Sequence, residues 1–186
     1  MRLYIKNMVC DRCKMAVHDL LEKFGLHPQA VELGEVTITE EPDEDMKTKI
    51  SQSLLSLGFE LIDDRKHRMT ERIKTIIVEL VHYPDQQLKI NLSDHISAKL
   101  HHDYNYLSNL FSECEGTTIE KYFIAQKIEK VKELLNYDEL SVNEIASALN
   151  YSSAAYLSSQ FKAITGITPS QFKNLKYKNR ISLDKV

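Results

Sequence analysis

The chain has few of the residues that break helices and few of those that staple secreted folds. It carries 5 Gly and 4 Pro in 186 residues, and 42% of its residues are apolar. That balance excludes a disordered or low-complexity protein and favours a folded, helix-rich one. At 21.5 kDa there is room for one or two compact domains. No apolar run approaches the roughly 18 residues that span a bilayer. The opening MRLYIKNMVC lacks the apolar core of a signal peptide. A cytoplasmic location with no membrane partner is expected. Three Cys are too few for a disulfide framework, and two of them form Cys10-Asp11-Arg12-Cys13. In a reducing compartment such a pair points to metal binding or thiol redox chemistry. The C-terminal half has no Gly-rich phosphate loop, no close His/Asp/Glu cluster and no nucleophile with a base at a known spacing, so no enzyme is expected.

Net charge is −3, but it is unevenly distributed. Residues 1–65 carry 8 Lys/Arg against 13 Asp/Glu, a net −5, whereas residues 150–186 carry 6 Lys/Arg against one Asp, a net +5. The two ends therefore suit different partners, and only the basic end suits a polyanion.

Periodicity divides the chain into three stretches. In residues 1–64, Leu3-Tyr4-Ile5 reads as a strand, and Met15, Leu20, Leu21 and Phe24 mark a helix that stops at Gly25. Val31–Leu33 and Val36–Ile38 read as two strands turning at Gly34, Met46, Ile50, Leu54 and Leu57 as a second helix, and Phe59–Ile62 as a last strand. The order is β-α-β-β-α-β, so the fold class expected is α+β, with a ferredoxin-like N-terminal sandwich and an all-α C-terminal domain. Residues 65–84 read as a connecting helix whose stripe Met69, Ile73, Ile76, Ile77, Leu80, Val81 could pack inside its own chain or, with a slight preference, against a second one. His82, His101 and His102 read as turn and surface residues, Met8 as core, and Cys114 as a partly buried thiol.

Residues 85–186 are helical throughout. Asp103 reads as an N-cap ahead of Leu107, Leu110 and Phe111, and Gly116-Thr117-Thr118 interrupts before a long helix over 119–135. Ser141 with Glu144 is a capping box. Asn150 tolerates the left-handed backbone of a sharp interhelical turn. Tyr156, Leu157 and Phe161 mark the next helix, and Thr168-Pro169 opens the last one, with Phe172 inside. Two helix-turn-helix units result, joined by one long helix.

Ile145-Ala146, Asn150-Tyr151, Tyr156-Leu157, Gln160-Phe161-Lys162, Gly166 and Thr168-Pro169 with Phe172-Lys173 resemble the signature of the AraC/XylS family of transcription regulators. Tyr106-Leu107 through Phe111 and Glu115-Gly116-Thr117-Thr118 correspond to the first unit of that family's domain. The resemblance covers roughly residues 85–175. It implies that the partner is double-stranded DNA, and that each unit lays its second helix in the major groove, in successive turns of one face. The candidate contacts are then Asn105, Tyr106, Ser108 and Asn109 in the first unit. In the second they are Ser153, Ala154, Ala155, Tyr156, Ser158, Ser159 and Lys162. Asn is the residue type that pairs with adenine, Tyr (Tyr104 included) meets thymine methyls or phosphates, and Ala allows close approach. Lys162, Lys173, Lys176, Lys178 and Arg180 would reach phosphates. No Lys or Arg lies between Asp103 and Phe111, so A·T-leaning recognition of modest affinity is expected, with dimerisation correspondingly needed.

The N-terminal stretch Asn7-Met8-Val9-Cys10-Asp11-Arg12-Cys13, with Gly58-Phe59 before the last strand, resembles the heavy-metal-associated domains of copper chaperones and copper-pumping ATPases. It implies that Cys10 and Cys13 bind Cu(I), or Zn(II) or another thiophilic ion. The helix starting at Asp11 would lower the thiol pKa through its N-terminal dipole. The expected whole is a homodimeric regulator with a metal-ion effector. Dimerisation or partner binding by the N-terminal domain alone, or a Cys10–Cys13 redox switch, remain open beside it.

Overall fold

The computed structural model describes residues 1–62, 65–83, 91–137, 139–175 and 180–186. The chain forms two compact units, one of Met1–Ile76 with Asn91–Gly116 and the other of Ile77–Ile90 with Thr117–Val186. These units cut across the three stretches read from periodicity, because the first helix-turn-helix unit groups with the sheet.

In the first unit the elements run β1 (Arg2–Lys6), α1 (Asp11–Lys23), β2 (Pro28–Glu32), β3 (Glu35–Ile38), α2 (Glu44–Ser56) and β4 (Glu60–Ile62). The strands form one antiparallel sheet ordered β2-β3-β1-β4, with Leu3 opposite Val36 and Ile5 opposite Leu61. Alternation along β1 buries Leu3 and Ile5, and Val36, Ile38, Val17, Leu21, Ile50 and Leu54 complete that core. Two apolar residues expected in the helical stripes are instead exposed: Met15 at 65% and Leu57 at 52%. Val17 takes the buried place on α1, and Leu57 is already the C-cap of α2, beyond its last inward turn.

Tyr4 is out of phase with Leu3 and Ile5, and the Arg68 guanidinium of α3 (Arg65–His82) lies over its ring at 4.9 Å. Gly34 closes the β2–β3 turn at φ +81°, where a Cβ would also meet Thr75 Oγ1 of α3 at 3.2 Å. The helices α4 (Leu92–Leu100) and α5 (Tyr104–Glu115) belong to this unit. Two ion pairs join α5 to α3: Lys66 reaches Glu113 at 2.7 Å, and Lys74, also paired with Glu71 of its own helix at 3.0 Å, reaches Glu115 at 3.4 Å. Within α3, Ile73, Ile76, Ile77, Val78 and Val81 are buried in the chain itself. The preference for a stripe that pairs with a second chain is therefore corrected, because its apolar face is already covered.

The second unit is built on α6 (Ile119–Tyr137), with α7 (Val142–Ala148), α8 (Ala154–Thr165), α9 (Pro169–Lys173) and a 3₁₀ turn at Leu183–Lys185. Ile128, Val131 and Leu135 of α6 meet Ile145, Leu157, Phe161 and Phe172 in one core. Ser141 and Thr168 each close a complete capping box, with Glu144 and Gln171. His82 is not the surface residue expected. It is half-buried, 3.0 Å from Gln126 Oε1, and burial pushes its pKa down. No helix among the described residues is long and apolar enough to cross a membrane.

Candidate nucleic-acid interface

The two candidate reading helices, α5 and α8, are built from the same local devices. Asp103 caps α5 by accepting the Asn105 and Tyr106 amides at 2.8 and 3.3 Å, and Ser153 caps α8 by accepting the Tyr156 amide at 3.1 Å. Each helix ends on a left-handed glycine, Gly116 or Gly166, whose amide returns to Ser112 or Lys162. Each is anchored by a leucine and a phenylalanine from which water is excluded: Leu107 and Phe111, Leu157 and Phe161. The turn ahead of α8 is made by Asn150 at φ +52°, as its residue type suggested. Ahead of α5 the left-handed residue is His101 at φ +56°, which the sequence reading treated only as part of a turn.

With the apolar side fixed inward, the outward side follows. On α5, Asn105, Tyr106 and Asn109 are exposed and Ser108 is half-buried. Asn105 and Asn109 stand one helical turn apart and share a face. Tyr106 is 49% exposed, and its ring lies 5.4 Å from that of His102. On α8, Ala155, Tyr156, Ser159 and Lys162 are exposed, Ala154 and Ser158 half-buried, and Ser153 sits exposed at the cap. Tyr156 is held rather than free to swing, because its hydroxyl accepts from Gln160 Nε2 at 2.9 Å and its ring meets Tyr151 edge-on at 6.1 Å. Ser153 differs from its expected part. Its oxygen is already an acceptor for the helix, leaving its O–H as the group it can offer.

The electrostatics of the two helices differ. A helix N-terminus attracts phosphate through its unpaired amides and dipole. At α5 the Asp103 carboxylate already fills that place. At α8 the cap is a neutral serine, and Lys162 adds a cation in the last turn. Of the expected phosphate contacts, Arg180 is paired with Glu133 at 3.0 Å, its side chain still 35% exposed. Lys176 and Lys178 lie outside the described residues.

Sequence reasoning missed Lys127 altogether. Its ammonium sits 3.8 Å from the centre of the Tyr151 ring and 5.5 Å from that of Phe123, and burial lowers its pKa to about 8. Tyr151, raised to about 12 first by burial, braces Tyr156 of α8. Lys127 looked like one more polar position of a long helix, and only the fold brings it beneath the turn.

A helix-turn-helix domain family matches residues 96–174, which span α5 through α9. Residues 96–174 thus carry a helix-turn-helix domain. The chain is 24% identical over 133 residues to the uncharacterized HTH-type transcriptional regulator YtdP of Bacillus subtilis, covering 72% of this chain and 17% of that one. It is 36% identical over 69 residues to the xylose operon regulatory protein of Escherichia coli, covering 37% of this chain and 18% of that one. The chain thus spans less than a fifth of the length of either relative. In structure it resembles the C-terminal domain of AraT, a response regulator from Geobacillus stearothermophilus, with a TM-score of 0.51 and 25% identity over 64% of this chain and 92% of that one. These relatives are regulators by name, not enzymes.

The second expected site is also brought together. Cys10 caps α1 and Cys13 lies in its first turn, with their sulfurs 3.4 Å apart. Asn7, at φ +71°, donates from its side-chain amide to the Gly58 carbonyl at 2.9 Å, which ties the cysteine loop to the start of β4. Met8 is buried in the core, away from a ligand's role. The expected lowering is outweighed at Cys13, whose thiol pKa is raised overall. Burial raises it, against opposing backbone hydrogen bonds from Val9 and Cys10.

Proposed function

We propose that the chain regulates transcription by binding double-stranded DNA through α5 and α8, with α8 the stronger contact. One observation carries this reading. Both helices are capped, glycine-terminated and anchored alike, and each turns small polar groups and a tyrosine outward. α5 has no Lys or Arg anywhere along its length, so it cannot make the bidentate arginine–guanine contact. Asn105 and Asn109 suit adenine, Tyr106 and Tyr156 suit thymine methyls, and the expected operator is A·T-leaning. Weak phosphate neutralisation per chain favours a homodimer on paired half-sites. Footprinting of the full chain tests this, with salt-dependent protection of A·T-rich sites expected and uniform absence of protection against it. Lys162→Ala should weaken binding about equally on all sequences and reduce the slope of log K against log salt by about 1. An unchanged slope would remove Lys162 from the interface.

We further propose that Cys10 and Cys13 bind a thiophilic ion such as Cu(I) or Zn(II) as the effector. The donors fit: two sulfurs up to about 4.6 Å apart can share an ion at metal–sulfur bonds of about 2.3 Å, and these are 3.4 Å apart. Two thiolates leave such an ion short of ligands, which favours bridging to the same pair in a second copy. Cu(I) is expected to bind the full chain with loss of two titratable thiols and to promote dimerisation. The Cys10→Ser/Cys13→Ser chain is expected to do neither. If that variant dimerised and bound DNA identically with and without Cu(I), and the wild type did the same, metal sensing would be ruled out. A reversible Cys10–Cys13 disulfide at cellular potentials would instead support a redox switch.

A further inference from the structure

The first unit contains a cavity that neither DNA binding nor the cysteine pair uses. It has a volume of about 410 Å³, within the range of small-molecule sites, and lies where β1 and β4 meet α2 and the start of α3. Its lining is apolar at Leu3, Tyr4, Leu61 and Ile62 and polar at Thr48, Ser51 and Gln52 of α2. Thr48 spends its hydroxyl proton on the Glu44 carbonyl, while Ser51 and Gln52 have no side-chain hydrogen-bond partner among the described residues.

Three cationic side chains among the described residues line the cavity, and they are not equivalent. Lys47 is held by Glu44 at 2.6 Å and Arg2 by Glu35 at 3.1 Å. The Arg68 guanidinium lies over the Tyr4 ring, 4.9 Å from its centre, and has no carboxylate partner among the described residues. The cation–π contact leaves the guanidinium N–H groups able to bind a planar anion in two-point fashion. A lining of both apolar and polar side chains, with a guanidinium not neutralised by a described carboxylate, suits an amphipathic monoanion.

Arg68 also connects the cavity to the DNA-binding part of the same unit. It lies on α3 between Lys66 and Lys74, and these two pair with Glu113 and Glu115 of α5. A shift of α3 toward a bound anion would act on the helix that carries Asn105, Tyr106 and Asn109.

We propose that this cavity binds a small carboxylic acid with an apolar body, its carboxylate on Arg68, and that occupancy alters DNA affinity through α3 and α5. The binding part stands apart from the DNA-binding reading, whereas the coupling part rests on it, so the two are read separately. Octanoate and octanol are titrated into the isotope-labelled full chain. Octanoate is expected to shift the backbone amides of Thr48, Ser51, Leu61 and Arg68 saturably, and octanol at equal concentration is expected to bind at least about tenfold more weakly. Arg68→Gln should weaken octanoate binding by a similar factor, and Ser51→Phe, which fills the cavity, should abolish it while the remaining amide spectrum shows a folded chain. Absence of these shifts, equal binding of octanol, or unchanged binding by Arg68→Gln would overturn the site. Octanoate should then change DNA affinity in the wild type and not in Arg68→Gln. Octanoate binding with no change in DNA affinity would overturn the coupling and leave the site standing.

Discussion

Replacing Phe161 with alanine is expected to destabilise the second unit by about 3–5 kcal/mol and to abolish DNA binding by α8. Phe161 is fully buried, meets Phe172 edge-on with ring centres 5.5 Å apart, and lies in the core formed with Ile128, Val131, Leu135, Ile145 and Leu157. Its loss removes the ring from water's exclusion and leaves a cavity that α9, held by its capping box, closes poorly. α8 has no other long anchor besides Leu157, and its remaining outward residues give it little helix stability of its own. Because the chain has two compact units, a single melting temperature would mix them. Amide exchange separates them: the amides of α7 through α9 should lose protection while those of β1 and β3 keep theirs. Ser159→Ala, exposed on the same helix, should leave exchange unchanged. Retained protection in α8 of the Phe161→Ala chain would mean that Leu157 and Tyr151 suffice to hold it.

The contrast between Phe161 and Met15 shows what could be read before the structure. Where a side chain acts on its own turn of backbone, the sequence was enough. Asp103, Ser141 and Thr168 cap helices through bonds two to three residues long. Asn150 supplies a left-handed turn by its own chemistry. Both candidate reading helices were therefore legible as helices. Burial on a helix is a different matter, since it depends on what comes to lie against each face. Met15 and Val17 are both apolar on α1, and only the sheet decides between them. The stripe on α3 had the right period but no label saying whether its own chain or another would cover it. The contacts of Lys127 with Tyr151, Arg68 with Tyr4, and Arg180 with Glu133 join residues 24 to 64 positions apart and leave no local trace.

A long-range contact of that hidden kind, from the Ile181 amide to Glu129, enters the second large expectation. Glu129→Ala should destabilise the second unit by about 3–5 kcal/mol, as breaking one half of a buried ion pair does. Glu129 is 3% and Lys132 8% exposed, and their charged groups lie 2.5 Å apart. The other Glu129 oxygen accepts the Ile181 amide at 3.0 Å, so one carboxylate both neutralises Lys132 and holds the C-terminal segment on α6. Two further bonds secure that segment: Arg180 to Glu133, and Gln126 Nε2 to the Leu183 carbonyl at 3.1 Å. The alanine variant strands a buried ammonium and releases one of three ties. Glu129→Gln keeps an acceptor for Ile181 but not the charge, so it separates the two roles. If the charge dominates, Gln should cost nearly as much as Ala. If the tie dominates, Gln should restore stability. The double variant Glu129→Leu/Lys132→Met removes both charges and should recover most of the loss, since paired burial of charge earns little over well-packed apolar side chains. The Ile181 side is half-exposed, so its freed amide can turn to water at small cost. Chemical denaturation of the four chains, with limited proteolysis of residues 180–186, decides among these outcomes. Equal stability of the wild type and Glu129→Ala would show that Lys132 escapes to solvent once released.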